Sequence, residues 1–349
     1  MWLNLSPEER LEVLTNVSEQ TNLSPNAIEK DWWVTMSLRA LFSCECADHI
    51  VFKGGTSLSK GWNLIKRFSE DIDIAIDRVF FGFEGELKRK QISNLRRASC
   101  SYIKDKLAEE LDQKLKEMGS DGYSLRPIVT EDSTQDPLII EISYDSLLSP
   151  GSYIREKVLI EIGSRSLIEP SENIQLHSII AATHPDSSFA DSLFDVPTVV
   201  PQRTFLEKAF LLHEEFQKPN ESIRVDRMSR HLYDLEKLMD TVYAKEALNN
   251  KELYNTIVEH RRTLTSMKEV DYTTHTPDKI SFMPPTTIIN AWRKDYEAMQ
   301  SSMIYGESLS FDELIERIRE LNERFRNIKQ SISGLSPIPQ THQNHPIPT

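Results

Sequence analysis

The chain has 349 residues, of which 39% are apolar and 27% charged, with a formal net charge of -13 from 41 basic and 54 acidic residues. This composition reads as a soluble globular protein long enough for two or three domains, and it excludes collagen, coiled-coil filaments and secreted mini-proteins. No run approaches the ~18 consecutive apolar residues of a membrane span. Three cysteines, Cys44, Cys46 and Cys100, are too few for a disulfide framework and predict a reducing cytoplasm. The start has no basic segment followed by an apolar one, so no secretory signal is expected. The acidic balance argues against an unspecialised nucleic-acid binder but leaves room for an enzyme with a local basic cleft.

Along the chain, Ser6-Pro7-Glu8-Glu9 and Ser24-Pro25-Asn26-Ala27 predict two helix starts, each with a serine cap and proline in the first turn. His49–Lys53 predicts a short strand, broken by Gly54-Gly55, with helical spacing from Thr56 to Ile65. Asp71-Ile72-Asp73-Ile74-Ala75-Ile76-Asp77 alternates strictly and predicts a half-buried strand. Residues 86–118 are charged and helical. Two further strands are predicted at 137–144 and 157–163, after which strand signals fade from about residue 170. Helical patterns then cover 202–217, 226–245, 249–264, 286–303 and 310–332. The organisation predicted is α+β: N-terminal helices over 1–44, a mixed sheet domain over 45–200, and a helical domain over 201–330. Residues 331–349 hold four prolines and little apolar mass, and predict a disordered tail.

The chemistry-bearing segment is Val51 to Lys60 followed by Phe68 to Ile74. A strand running into Gly54-Gly55 lets the backbone turn sharply and approach a ligand. Thr56 and Ser57 are expected to open a helix whose free N–H groups suit a phosphate, with Lys60 as a further cation. Residues two apart on a strand face the same way, so Asp71 and Asp73 project together while Ile72, Ile74 and Ile76 turn to the core. Paired carboxylates repel, and Mg²⁺ shared with nucleotide phosphates is the fitting countercharge. Alone, Gly-Gly is an ordinary turn and Asp-x-Asp a solvated strand face. The order strand, Gly-Gly-Thr-Ser, helix, Asp-Ile-Asp is the specific signal.

These residues resemble the nucleotidyltransferase superfamily that includes DNA polymerase β. The wider pattern is similar to the AbiEii/AbiGii toxins of type IV toxin–antitoxin and abortive-infection systems. The matching phrases are Lys53-Gly54-Gly55-Thr56-Ser57-Leu58, Phe68-Ser69-Glu70-Asp71-Ile72-Asp73 and the upstream Glu29-Lys30-Asp31-Trp32-Trp33-Val34. Further on they are Arg203 to Lys208, Arg230-His231-Leu232-Tyr233-Asp234-Leu235, Trp292 to Tyr296 and Met303 to Glu307. The resemblance implies that Asp71 and Asp73 hold catalytic metals and that Gly55, Thr56 and Ser57, with Gly54 and Lys60, cradle the triphosphate. It implies that Lys208 contacts phosphate and that Asp234 completes the site from the helical half. A third carboxylate is expected from a later strand; Glu161 and Glu141 both qualify, and Glu161 is preferred.

The function implied is NMP transfer from an NTP to an RNA, the 3′ end of tRNA, with pyrophosphate release. The implied partner is an antitoxin that need not bind stably. Two other readings stand beside it: transfer to a protein or small-molecule hydroxyl, and a non-catalytic NTP-binding regulator. The basic stretch Lys88-Arg89-Lys90 with Arg96-Arg97, extended by Lys53, Lys60, Lys66 and Arg67, is either a solvated face or a contact to acceptor phosphates. Cys44-Glu45-Cys46 lacks zinc spacing, the histidines form no metal motif, and His231 is expected to pack or cap near Asp234.

Overall fold

Two serine caps set the first helices. Ser6 receives the backbone N–H of Glu9 and returns its own to the Glu9 carboxylate, starting α1 (Pro7–Thr21); Ser24 caps α2 (Pro25–Leu41). The computed structural model describes residues 2–328 except 70, 133–134, 150–153, 165–168 and 266. The expected tail at 331–349 lies outside the described residues.

Strand β1 (Ile50–Lys53) leads through Gly54 into a three-residue helix, α3 (Gly54–Thr56), and a widened turn over Ser57–Gly61 closed by Trp62 N–H to Ser57 O at 2.9 Å. Then come β2 (Asp71–Ile76), α4 (Arg89–Tyr102) and α5 (Ala108–Glu117). Next are β3 (Tyr123–Ile128), β4 (Leu138–Tyr144), β5 (Lys157–Gly163), β6 (Ser171–Leu176), α6 (Ile179–Thr183) and β7 (Phe194–Val199). The helical half holds α7 (Pro201–Glu215), α8 (Arg230–Leu238), α9 (Val242–Asn249), α10 (Lys251–His260), α11 (Ile289–Ser302) and α12 (Phe311–Arg326). Among the described residues no helix is long and apolar enough to cross a membrane.

The seven strands form one mixed sheet in the order β3-β4-β5-β2-β1-β7-β6, with β2–β5 and β1–β7 parallel and the other pairs antiparallel. The fold is therefore α+β, as expected. Register explains how its two faces divide. Ile140, Ile160 and Ile72 lie side by side across β4, β5 and β2, all fully buried. On that face α2 packs against the sheet, with Trp33 stacked on Tyr144 at 5.1 Å. The opposite face carries a row of different chemistry: Lys53 on β1, Asp73 on β2 and Glu161 on β5.

Four expectations need correction. Strands continue past residue 170: β6 and β7 complete the sheet. The edge strand β6 is polar and exposed, and Asp195 and Pro197 dilute the apolar pattern of β7, so neither shows as a buried strand does. Strand β3, also unexpected, mixes Arg126 and Pro127 into the other edge. The predicted helix over 226–245 is two, divided where Thr241 caps α9 through the Ala244 N–H. The helix after β1 begins at Gly54 rather than Thr56, and its turns end at Gly61 rather than Ile65.

Candidate active site

Gly54 makes the turn out of β1 at φ +80°, and a side-chain carbon there would collide with the Asp73 carboxylate. Glycine is thus what lets β1 pass so close to β2 at this point. At Gly55 a side-chain carbon would fall 2.5 Å from the Arg67 guanidinium and 3.0 Å from the Ser69 hydroxyl. The bare backbone here is packed between Asp73, Arg67 and Ser69.

A cavity of about 410 Å³ opens above this turn, between the sheet face and helices α7 and α8. The sheet side contributes Asp71, Asp73 and Glu161, with Lys53 in the same row; the helical side contributes Lys208, Arg230 and Glu207, together with Arg224 and Arg261, which are paired with Glu215 and Glu214. Burial raises the Asp73 carboxyl above its ordinary range, and the Asp71 charge adds to this, while Arg230 opposes it. Burial likewise pushes Glu161 up to about 7, helped by the charges of Asp73 and Asp71. Arg230 stands 3.9 Å from Asp71 and faces the sheet-side carboxylates.

Behind the helical side of the cleft, Asp234 is fully buried. It receives Lys208 Nζ at 2.8 Å and a two-pronged contact from Arg67 at 2.7 and 2.8 Å. Burial works against its charge, but Arg67 and Lys208 hold its carboxyl well below the usual carboxylate range. Lys208, whose ammonium is disfavoured by burial, is therefore fixed at the cleft wall by a charge-assisted hydrogen bond. His231 lines the same wall; burial, then Lys208 and Arg230, keep its imidazole neutral, and its Nδ1 has no hydrogen-bond partner. A second buried network joins the halves: Lys53 contacts Glu169 and Glu207 at 3.3 Å each, and Arg203 contacts the same two carboxylates at 3.2 and 3.1 Å. Burial opposes the Glu207 charge, yet Lys53 and Arg203 hold its carboxyl down at about 2.

A family model described as nucleotidyl transferase AbiEii toxin, type IV TA system, matches residues 38–317. The chain belongs to the AbiEii family. It is a nucleotidyltransferase toxin of a type IV toxin–antitoxin system, which implies an NTP substrate and an antitoxin partner. A search of curated proteins finds no match. Among solved structures, MenT4, a nucleotidyltransferase toxin from Mycobacterium tuberculosis H37Rv, is 16% identical, with 91% of this chain and 99% of that chain covered and a TM-score of 0.41. JHP933 from Helicobacter pylori is 14% identical, with 87% and 93% covered and a TM-score of 0.41.

Of the residues expected at the AbiEii site, the structure gathers Asp71, Asp73, Glu161, Gly54, Gly55 and Lys208 around one cavity, with Asp234 directly behind Lys208. Three others face elsewhere. The Thr56 hydroxyl donates to Ser69 Oγ at 2.9 Å and that of Ser57 to Gly54 O at 2.9 Å; both side chains are buried. Lys60 pairs with Asp31 at 2.6 Å in a separate cavity near α1, α2 and α6, and does not line the cleft. Glu141 is separated from Asp71 by β5 and is bound by Arg126 and Lys157 at 2.7 and 2.6 Å. The extension of the basic stretch through Lys53 and Arg67 also fails, because both are committed to carboxylates inside the fold. Sequence reading missed the roles of Arg67, Arg230, Arg261 and Glu207. Arg67 was legible only as a cation extending the basic stretch and by its position just before the Phe68–Asp73 phrase.

The residues fit a divalent cation. Among the described residues, no group of three or more His, Cys, Asp or Glu side chains is arranged to hold a metal ion unaided. The donors are hard carboxylate oxygens; burial and neighbouring carboxylates disfavour the charged forms of Asp73 and Glu161, and a bound cation would relieve both costs. Such a site suits an ion that completes its shell with water and substrate phosphate oxygens.

Proposed function

We propose that this toxin transfers a nucleoside monophosphate from an NTP to the 3′-terminal hydroxyl of an RNA, tRNA being the acceptor, with Mg²⁺ as the metal. The facing of the sheet-side carboxylates and the helical-side Lys208 and Arg230 across one cavity carries the reading. Asp71, Asp73 and Glu161 would hold the metal, which when bound supplies charge neutralisation at the phosphates and a lower barrier to hydroxyl attack. Lys208, held by Asp234, and Arg230, at the start of α8, face the polyphosphate and stabilise the charge that gathers on pyrophosphate. Gly54 and Gly55 line the cavity and leave room for the Asp73 carboxylate and the Arg67 guanidinium beside it. The acceptor oxygen bonds to the α-phosphorus, the α–β bridging P–O bond breaks, and the hydroxyl proton passes to solvent. A tRNA with a blocked or extended 3′ end is not aminoacylated, which accounts for toxicity. The antitoxin then acts without a lasting complex, as resemblance to the type IV systems implies.

Incubating the protein with each α-labelled NTP, Mg²⁺, total RNA and total protein tests this. Label is expected on tRNA 3′ ends with wild type and absent with Asp71→Asn. Label confined to protein would overturn the RNA acceptor, and nucleotide binding without pyrophosphate release would overturn transfer altogether.

A further inference from the structure

The carboxylates of the cleft are reached from a second direction. A smaller cavity of about 200 Å³ shares Asp73, Glu161 and Arg261 with the main cleft and runs over the β4–β5 side, past Pro137 and Gly163, to His260. His260 in turn lines a larger cavity of about 680 Å³, between the 85–87 segment and helix α10. Lys53, Asp73, Glu161, Glu207 and Arg261 are common to the first two spaces, and His260 is common to the second and third. The third is lined by Leu87 and Leu264, with Thr256, Thr263 and His260 also in its lining. Its volume lies within the ~300–1,000 Å³ of pockets that take organic ligands.

The lining of this third space holds Glu86 and Glu259 with Arg78 and His260, and a basic run of sequence adjoins it, although the chain as a whole is acidic. Between residues 84 and 97 stand five cations, Lys88, Arg89, Lys90, Arg96 and Arg97, against two carboxylates. Lys88, Arg89 and Lys90 are exposed and directly follow Leu87 in the cavity wall. Arg96 donates to Leu264 O at 3.2 Å, so α4 is fastened to the cavity's far wall.

Geometry assigns the two directions different substrates. In an in-line displacement the attacking and leaving oxygens lie on opposite sides of the phosphorus. Lys208 and Arg230, on the helical side of the cleft, suit the polyphosphate that leaves. The attacking hydroxyl therefore arrives from the other side of the carboxylates, which is the Glu161–His260 side.

We infer that the groove from the Lys88–Lys90 run through the Leu87–Leu264 cavity and past His260 is the binding track for the unpaired 3′ end of the acceptor RNA. Its backbone lies on the basic run and its terminal bases pack on Leu87, Leu264 and the His260 ring. Unstacked bases held on apolar and ring surfaces, with phosphates on lysine and arginine, are the general mode of single-stranded recognition. The inference rests on the RNA reading above and adds where the RNA sits.

The probe is an RNA hairpin with an unpaired four-nucleotide 3′ tail, tested with the full chain. Reversing the basic run, Lys88→Glu with Arg89→Glu and Lys90→Glu, is expected to weaken hairpin binding on the order of ten-fold and to flatten its salt dependence. NTP binding should not change. Thr256→Trp, which fills the cavity from an exposed position on α10, is expected to raise the acceptor KM while the NTP KM stays constant. Both variants alter exposed residues, and melting curves matching wild type verify their folding. If wild type labels RNA and both variants do so with unchanged acceptor KM, the groove is overturned and the RNA reading stands. If wild type labels protein and never RNA, both fall. A hairpin with a blunt end that binds as tightly as the tailed one also overturns the track.

Discussion

At Gly54 two demands meet in one residue. Its φ of +80° lies where an L side chain is strained, and its missing side chain is where the Asp73 carboxylate rests. Gly54→Ala should therefore displace Asp73 and lower transfer by on the order of 10²-fold, the usual result of misplacing a reacting group by about an ångström. Gly82→Ala is the control, because Gly82 has φ +77° with open space around it and shares only the backbone cost of about 1–2 kcal/mol. Equal activity loss in both variants would refute the role given to the Gly54–Asp73 contact. Alternation made the Asp71–Asp73 pair legible in the sequence. The choice between Glu161 and Glu141 was not, because both sit at isoleucine-flanked strand positions; only register separates them, placing Glu161 beside Asp73 and Glu141 beyond β5.

At the scale of elements, α7 carries both catalytic and structural groups. Lys208 faces the cleft, while one turn and a half later His213 is buried between Ser281 and Thr274, 3.1 and 2.9 Å away. Burial, then the neighbouring His275 charge, pulls His213 down from 6.5 to about 4. Above pH 6.5 the ring is neutral in both folded and unfolded chains and contributes nothing. Between 6.5 and about 4 the unfolded chain takes up a proton that the folded one refuses, so stability falls, by up to about 3 kcal/mol. Urea midpoints at pH 7.5 and 5 should drop further for wild type than for His213→Gln; equal drops would show that another group governs the acid limb. The long helices α1, α2, α7 and α12 were legible through caps and periodicity. Edge strands β3 and β6 were not, because a strand with only one hydrogen-bonded neighbour need not be apolar.

Over the whole molecule, Asp234 joins the two halves of the site. It binds Lys208 from α7 and Arg67 from the loop before β2, with all three side chains buried. That loop is held by the C-terminal Met303–Gly306 segment, through Phe68 N–H to Met303 O at 2.7 Å and Tyr305 N–H to Lys66 O at 3.0 Å. The start of α8 is held by Asp295, which accepts from the N–H groups of Arg227 and Ser229 at 2.7 and 2.9 Å. From the other end, Asp31 takes Lys60 and the Ile179 N–H. The phrases that carry the family resemblance outside the cleft thus brace the segments that form it. Asp234→Ala leaves two buried cations without a counterion and should cost about 3–5 kcal/mol of stability as well as activity. Asp71→Asn, at a partly exposed position, should abolish transfer with unfolding near wild type. Chemical denaturation of both variants checks this, and wild-type stability in Asp234→Ala would refute the clamp.

The sequence by itself determined the local facts: which residues cap helices, which strand bears paired carboxylates, and which glycines free the backbone. These depend on spacings of a few residues, which the chain carries openly. The tertiary structure alone decided which distant charges share a cavity. It turned Thr56, Ser57 and Lys60 away from the cleft and brought in Arg67, Arg230 and Arg261, because partners for buried charges are set by strand register and helix packing across more than a hundred residues.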